Sequence, residues 1–232
     1  MKQIEVKILD HNLNGMSKFL AMLTQRGHQI NNMQDITDLY NKVIHDRPSA
    51  ALLTLPHTTI KRMNYMTVAI VGLSTKAVSQ IRTHATRLTF ISTSTQYSAY
   101  NERQNNWVIP AGLSDKDTAT MKAAYDQIEK IYDDLIRQGL DKDKIGYLLP
   151  QGLRKALIIH GNLDAWQYVI QTRLCRRNTL ETQYIMKLLY EQIYKICGKE
   201  FTVGMLPTCA EGHCKEGKFC CGKPYPQEVV YE

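Results

Sequence analysis

The chain of 232 residues contains no run of about 18 consecutive apolar residues, so no membrane-spanning helix is expected. Its N-terminus, MKQIEVKILDHN, has neither a continuous apolar segment nor a small-residue cleavage site, so no secretory signal is expected and a cytoplasmic location is the default. The sequence lacks a GxxxxGK[ST] phosphate loop, a GxGxxG after a strand, an HExxH and a GxSxG. These absences disfavour the common nucleotide-binding and hydrolase folds. No internal repeat and no low-complexity segment interrupts the chain. The basic residues form no long run and no recognisable nucleic-acid module, so no nucleic-acid partner is expected.

What remains is an ordinary globular composition, 44% hydrophobic and 22% charged. A chain of this length can bury most of its apolar surface without covalent staples. The net charge is +7, from 29 Lys and Arg against 22 Asp and Glu. A basic excess suits anionic partners, and without a nucleic-acid module it points to small phosphorylated ligands.

The coarse reading is α+β: a mixed sheet built by the first half, then a helical second half. Residues 1–200 read as a single domain and residues 201–232 as a Cys-rich irregular tail. KQIEVKIL alternates as a first strand. Asn12–Arg26, with Asn14 as a cap, and Asp35–Ile44 read as helices. Ala50–Leu55 is a short apolar run that Pro56-His57 interrupts. Met63–Val71 reads as a central strand, broken by Gly72, with Met63 and Met66 in its core. Leu73–Ile81 has helical spacing, with Ser74 as a cap, and Leu88–Thr95 returns to strand. Asn101–Asn106 is a polar loop. Asp115–Gln138 is a long amphipathic helix whose stripe runs through Met121, Tyr125, Ile128, Ile131, Tyr132 and Leu135. Lys142–Leu149, Leu153–Ile159, Leu163–Thr172 and Leu180–Cys197 follow as helices. The Asp133-Asp134 pair reads as a solvated helix face, and His28 and His45 as surface residues.

Two clusters carry chemistry. Around 171–183, QTRLCRRNTLETQ places Arg173, Arg176 and Arg177 at a junction between two helices. Asn178 and Glu181 are spaced as a capping box. Three guanidiniums at a helix N-terminus suit a phosphate or carboxylate, and they equally describe a solvated basic face. Around 80–98, QIRTHATRLTFISTSTQYS runs from basic residues into a block of serines and threonines.

The segments 139–150, Asn162 and R173-LCRRNTLE181 together resemble the flavin-dependent thymidylate synthase (ThyX) family. The tail, Cys209-Ala-Glu-Gly-His-Cys214-Lys-Glu-Gly-Lys-Phe-Cys-Cys221-Gly-Lys, is similar to one carried by bacterial members. The resemblance spans roughly Pro56 to Lys223, and residues 1–55 match poorly. It implies a homotetramer that binds FAD and dUMP where subunits meet. It also implies transfer of a one-carbon unit from methylenetetrahydrofolate to C5 of dUMP, with reduced FAD as hydride donor and NADPH as reductant of the flavin. Arg173 then corresponds to the arginine that contacts the pyrimidine. Asn162, Asp164, Tyr168 and Arg177 fall in flavin-contacting positions.

The family signature R-H-R-x-x-S-x-N-E-x-S-x-R-Y, anchored on Tyr97, aligns Ser94 and Tyr97 with matching residues and Thr89 with a serine. It places His84-Ala85-Thr86 on the Arg-His-Arg and Ile91-Ser92 on the Asn-Glu, and Gln96 replaces the last arginine. A small slip lets Arg82 or Arg87 replace the missing charges, with His84 nearby. Candidate catalytic residues are therefore Arg173 and Ser94. Candidate flavin contacts are Arg82, His84, Arg87, Thr89, Ser92, Asn162, Asp164, Tyr168 and Arg177. Candidate substrate contacts are Ser94, Gln96, Tyr97 and Arg173. The family's flavin-stacking His falls at Met63, with His57 six residues earlier. Two outcomes stand: a thymidylate synthase with redistributed binding groups, or a ThyX-fold protein that acts on another pyrimidine nucleotide or only binds nucleotide and flavin. Gln96 separates them, because an amide cannot pair bidentately with a phosphate.

The six cysteines have two readings as well. Cys197, Cys209, Cys214 and Cys221 can supply a tetrahedral zinc site, or the tail is simply reduced and packed.

Overall fold

The protein is described by a computed structural model over residues 4–49, 58–100, 106–198 and 202–226. Its scaffold is a four-stranded sheet in the order β1-β2-β4-β3. The strands are β1 Glu5–His11, β2 Tyr65–Ser74, β3 Thr89–Ser92 and β4 Arg154–Asn162. All three pairings are antiparallel, so the α+β class holds while the mixed sheet expected from the sequence does not.

β2 is central because its β-branched residues alternate cleanly. Met66, Val68 and Ile70 are wholly buried on one face, and Tyr65, Thr67 and Ala69 are only half-buried on the other. β4 corrects a sequence expectation: Leu153–Ile159 is strand, not helix. Its Lys155, Leu157 and Ile159 face the core while Ile158 and His160 face outward. A short apolar run with period two was read at the wrong period, and antiparallel pairing with β2 from Tyr65↔Asn162 to Ser74↔Arg154 settles it.

Two helices cover the buried face, α7 (Leu163–Arg173) and α8 (Leu180–Cys197). Trp166, Val169, Ile170, Ile185, Met186, Leu189 and Ile193 from these helices are fully buried. Each such side chain contributes about 1.5–3 kcal/mol of burial. The Trp166 indole N–H donates to the Met66 carbonyl at 3.2 Å, so the largest core residue leaves no polar atom unsatisfied.

α4 (Thr75–Arg82) leaves β2 with no loop. Gly72 does not end the strand, as expected, but sits at a register shift between Val71 and Leu73 with φ +85°. Ser74 closes the strand and caps α4, accepting from the Ala77 amide at 3.0 Å.

Outside this core, α1 (Met16–Gln25) and α2 (Met33–Val43) form a hairpin around Phe19, Leu20, Leu39 and Val43. α1 begins after Gly15 rather than at an Asn14 cap, and α2 begins at an Asn32/Asp35 capping box two residues earlier than its sequence suggests. The short α3 (Thr59–Met63) leads into β2 and leaves Met63 half-exposed, so only Met66 of the two expected methionines is core. α5 (Asp115–Arg137) buries Tyr125 and Tyr132 but leaves Ile131 half-exposed, so its apolar stripe is only partly covered. One Asp133 oxygen is buried without a partner, against the expected solvated pair. His45 is exposed as expected. α6 (Lys142–Ile145) continues as a 3-10 turn through Leu148. The tail is made of 3-10 turns at Val203–Met205, Thr208–Glu211 and Gly217–Phe219. It is not detached, because Met205, Leu206 and Ala210 join the main core. Ala50–Leu55, His57 and most of the 101–106 loop lie outside the described residues. No helix among the described residues is long and apolar enough to cross a membrane.

Gly15 is required by close approach. A Cβ there would stand 1.5 Å from the Val43 carbonyl oxygen and 2.8 Å from the Ile44 Cα, all backbone. Gly15→Ala is therefore expected to destabilise the protein by about 1–3 kcal/mol. Urea unfolding checks this, and an unchanged midpoint would refute the contact.

Candidate functional site

The two turns that carry the basic clusters meet on one side of the α4–α8 junction. The Glu181 carboxylate, from the first turn of α8, accepts from both the Ser74 amide and the Ser74 hydroxyl at 2.6 Å. Six residues along α4, the Gln80 side-chain oxygen accepts from the hydroxyls of Thr179 (3.0 Å) and Thr182 (2.7 Å). These bonds bolt α4 against α8. The turn after α4, Thr83–Leu88, is thereby held against the turn between α7 and α8. The cap of α8 is Thr179, not Asn178, and Glu181 makes no capping box.

Arg173, the last residue of α7, is the centre of the arrangement. Its Nε donates to His84 Nε2 at 2.9 Å, its Nη1 to Asn178 Oδ1 at 2.8 Å, and its Nη2 to Thr83 Oγ1 at 2.6 Å. Asn178 is itself fixed, donating to the carbonyls of Thr172 (2.8 Å) and Cys175 (3.1 Å). Among the described residues, three of the five guanidinium donors are used to orient the group, and two remain for an acceptor. Burial lowers the Arg173 pKa, but a guanidinium keeps its charge.

His84 is buried, and its Nε2 accepts from a cation, which assigns its proton to Nδ1. Its ring stands edge-on to Tyr168, centroids 5.7 Å apart, and Arg87 lies over the other part of that tyrosine at 4.4 Å. Burial, then the charges of Arg173 and Arg87, pull the His84 pKa down to about 4. The structure thus joins Thr83, His84, Arg87, Tyr168, Arg173 and Asn178. Of these, Thr83 and Asn178 were not anticipated as site residues. Asn178 was read as a helix cap, and no sequence rule distinguishes a cap from a side chain that orients an arginine.

The other expected residues take separate places. Arg82 is the exposed last residue of α4, and Thr89 and Ser92 bound β3. Asn162 caps α7, accepting from the Ala165 amide at 2.9 Å. Asp164 pairs with Arg62 at 3.6 Å. Arg177 turns to the tail, donating to the Phe219 carbonyl at 2.7 Å. Ser94 Oγ accepts from the amides of Gln96 (3.0 Å) and Tyr97 (3.3 Å), a turn that leaves both of those side chains exposed.

Below that turn sits a residue the sequence reading missed. Lys155 is 7% exposed and donates to the Thr93 carbonyl and the Tyr100 hydroxyl, each at 3.0 Å. The Tyr100 hydroxyl donates in turn to the Ser94 carbonyl at 2.9 Å. A lysine at an inward position of an alternating strand, K-A-L-I-I, was the available signal.

Because the folded pKa of His84 lies below its unfolded value near 6.5, the unfolded state binds more protons between pH 4 and 6.5. Stability is expected to fall as pH drops through that window and to be level above it for this group. His84→Gln, which keeps an acceptor for Arg173 but does not titrate, is expected to flatten the slope of the urea midpoint against pH. An unchanged slope would place the titrating group elsewhere.

Comparison with known proteins identifies the family and the fold. The model of the family described as thymidylate synthase complementing protein (Thy1) matches residues 11–198. That span takes in most of the first 55 residues and stops before the Cys tail. A flavin-dependent thymidylate synthase of Pyrococcus abyssi is 25% identical over 167 residues, 68% of each chain. The fold is similar to thymidylate synthase X of Helicobacter pylori solved with FAD and dUMP, with a TM-score of 0.62 and 16% identity over 87% of this chain and 99% of that one. A second structure of the H. pylori enzyme with FAD and dUMP gives a TM-score of 0.58 over 83% and 97% of the two chains, again at 16% identity. With the family model matched over residues 11–198, most of its length, this chain belongs to the Thy1 (ThyX) family.

Proposed function

We propose that the protein is a flavin-dependent thymidylate synthase that methylates dUMP to dTMP. The observation that carries the reading is the Arg173 guanidinium, oriented by three side chains with two donors left over. A pyrimidine carbonyl placed against those donors would meet a fixed cation where negative charge develops on the ring. His84 holds that cation in place while staying neutral, so it adds no competing charge. Tyr168, 44% exposed and backed by Arg87, offers an aromatic face of the kind a flavin ring or a base can stack on.

These residues fit a flavin and a pyrimidine nucleotide, both anionic and planar. FAD, when bound, supplies the hydride, with NADPH as its reductant and methylenetetrahydrofolate as the carbon donor. Arg87 is the cation of the opening basic segment that joins the cluster. The absent family charges are thus replaced in part by Arg87, within the Thr83–Leu88 turn. The outer sheet face leaves Val71, Ile91 and Ile158 exposed in adjoining strand positions, which supports assembly with further copies into a homotetramer. All six cysteines are free thiols, which supports a cytoplasmic setting.

The Ser94–Tyr97 turn favours a second reading. It presents a neutral amide, Gln96, where the resemblance calls for an arginine on the nucleotide phosphate. On that reading the protein binds flavin and a pyrimidine nucleotide without making thymidylate.

Protein purified in the dark is expected to be yellow, and with methylenetetrahydrofolate and NADPH it is expected to release tritium from C5-tritiated dUMP. Bound flavin with no tritium release would select the second reading. Arg173→Ala is expected to lose about 100-fold or more in turnover while keeping a cooperative unfolding transition. Full turnover in that variant would show the pyrimidine to be bound elsewhere.

A further inference from the structure

Among the described residues no three cysteine, histidine or acidic side chains are placed to hold a metal ion, so the zinc set expected at Cys197, Cys209, Cys214 and Cys221 is not assembled. The charge buried beneath the Ser94–Tyr97 turn carries an inference instead. Lys155 occupies a core-facing position of β4, in step with Leu157 and Ile159, where an apolar side chain would pack. Burying an ammonium costs free energy unless its donors are used. Two of its three donors go to the Thr93 carbonyl and the Tyr100 hydroxyl. Among the described residues no carboxylate forms an ion pair with it, so its charge is not cancelled where it stands.

Tyr100 extends the grip of the lysine. Its hydroxyl accepts from Lys155 and donates onward to the Ser94 carbonyl. The tyrosine is itself fixed to α5. Its amide donates to the Tyr132 hydroxyl at 3.2 Å. Asn106 Nδ2 donates both to the Tyr100 carbonyl at 3.1 Å and to Glu129 Oε1 at 2.5 Å. The turn is also packed against Gly146, where a Cβ would stand 3.1 Å from the Thr95 carbonyl oxygen.

These bonds decide which way the turn's amides face. Every peptide bond here is trans, and in a trans peptide the carbonyl and the following N–H point in opposite directions. The Thr93 carbonyl points at Lys155, so the Ser94 amide points away from it. The Ser94 carbonyl points at Tyr100, so the Thr95 amide also points away from the buried pair. Among the described residues neither amide donates to a protein acceptor. The next two amides, of Gln96 and Tyr97, are taken by Ser94 Oγ. That hydroxyl accepts twice, which leaves its own proton to donate. Ser94 and Thr95 are only half-buried, so a ligand can reach them.

We propose that Lys155 is a positioning residue that turns the Ser94 and Thr95 amides outward and sets a positive charge behind them, so that this turn holds the phosphate of the pyrimidine nucleotide although Gln96 brings no cation. Consecutive backbone N–H groups directed outward suit an anion, and a buried cation on their carbonyl side polarises them further. The charge that an arginine would deliver from the surface is delivered here from beneath, through two peptide groups. The inference rests on the reading that the ligand is a pyrimidine nucleotide, and it adds which residue binds the phosphate end. It involves no covalent or redox step.

The test is calorimetric titration of the full chain, supplied with FAD, with dUMP and with deoxyuridine, which lacks the phosphate. The wild type is expected to prefer dUMP by about tenfold or more. Lys155→Met, which keeps the length of the side chain and removes its charge, is expected to lose that preference by weakening dUMP alone. A lysine that merely props the turn would weaken both compounds alike, and that result overturns the proposal, as does unchanged dUMP affinity. Wild-type protein that binds both compounds equally overturns it too, while leaving the nucleotide reading in place. Wild-type protein that binds neither sinks the nucleotide reading and this inference together. If Lys155→Met fails to unfold cooperatively, the wild type still decides. Its Ser94 and Thr95 amide proton resonances are expected to move downfield with dUMP and to stay in place with deoxyuridine, and unmoved resonances at saturating dUMP overturn the proposal.

Discussion

The clasp between Glu181 and Ser74 is the interaction on which the site depends. One carboxylate takes both the amide and the hydroxyl at the point where β2 becomes α4. It fixes the start of α4 against the start of α8, and Gln80 repeats the attachment about one and two-thirds turns on. An ionised acceptor with two charge-assisted bonds is strong and directional, so the two helices cannot slide. Everything that surrounds Arg173 hangs from the far ends of these two helices. Thr83 and His84 follow α4, and Asn178 precedes α8.

Within that frame the electrostatics are settled by one neutral ring. Burial lowers the His84 pKa and the two flanking guanidiniums add to its effect, so the imidazole stays uncharged at physiological pH. An uncharged ring can accept from Arg173, whereas a protonated one would repel it. Tyr168 contacts both, in a T-shaped pair with the imidazole and with its face under Arg87. The arrangement concentrates positive charge beside an exposed aromatic surface without an acidic side chain in the cluster to cancel it.

Much of the scaffold was readable from the residues. The β-favouring run Met63–Val71 led to most of β2 and the spacing of Leu180–Cys197 to α8, and Ser74 was found as a cap. Arg173 and its basic neighbourhood stood out by composition. What the sequence hid were pairings across long separations. Leu153–Ile159 has too few residues for its period to exclude a helix, and only the partner strand decides it. Glu181 sits where a capping box would use it, but it binds a serine 107 positions away. Asn178 was read by local spacing alone as a helix cap, and it orients Arg173 instead. Local rules name a residue's options, and tertiary contact chooses among them.

The kink at Gly72 carries a consequence for the sheet's handedness of display. The register shift there lets Leu73, rather than Gly72, oppose the inward Lys155 of β4. Up to Ile70 the even-numbered residues of β2 point into the core, and beyond the shift that parity inverts. One glycine therefore acts as a phase correction along the strand, resetting which side of the sheet the chain faces just before it winds into α4. A strand of the same length that ran on regularly through Gly72 would pair Leu73 with Arg154 and turn it toward solvent just where the chain winds into α4. Gly72 touches none of the chemistry, yet the compass bearing of the site is written there.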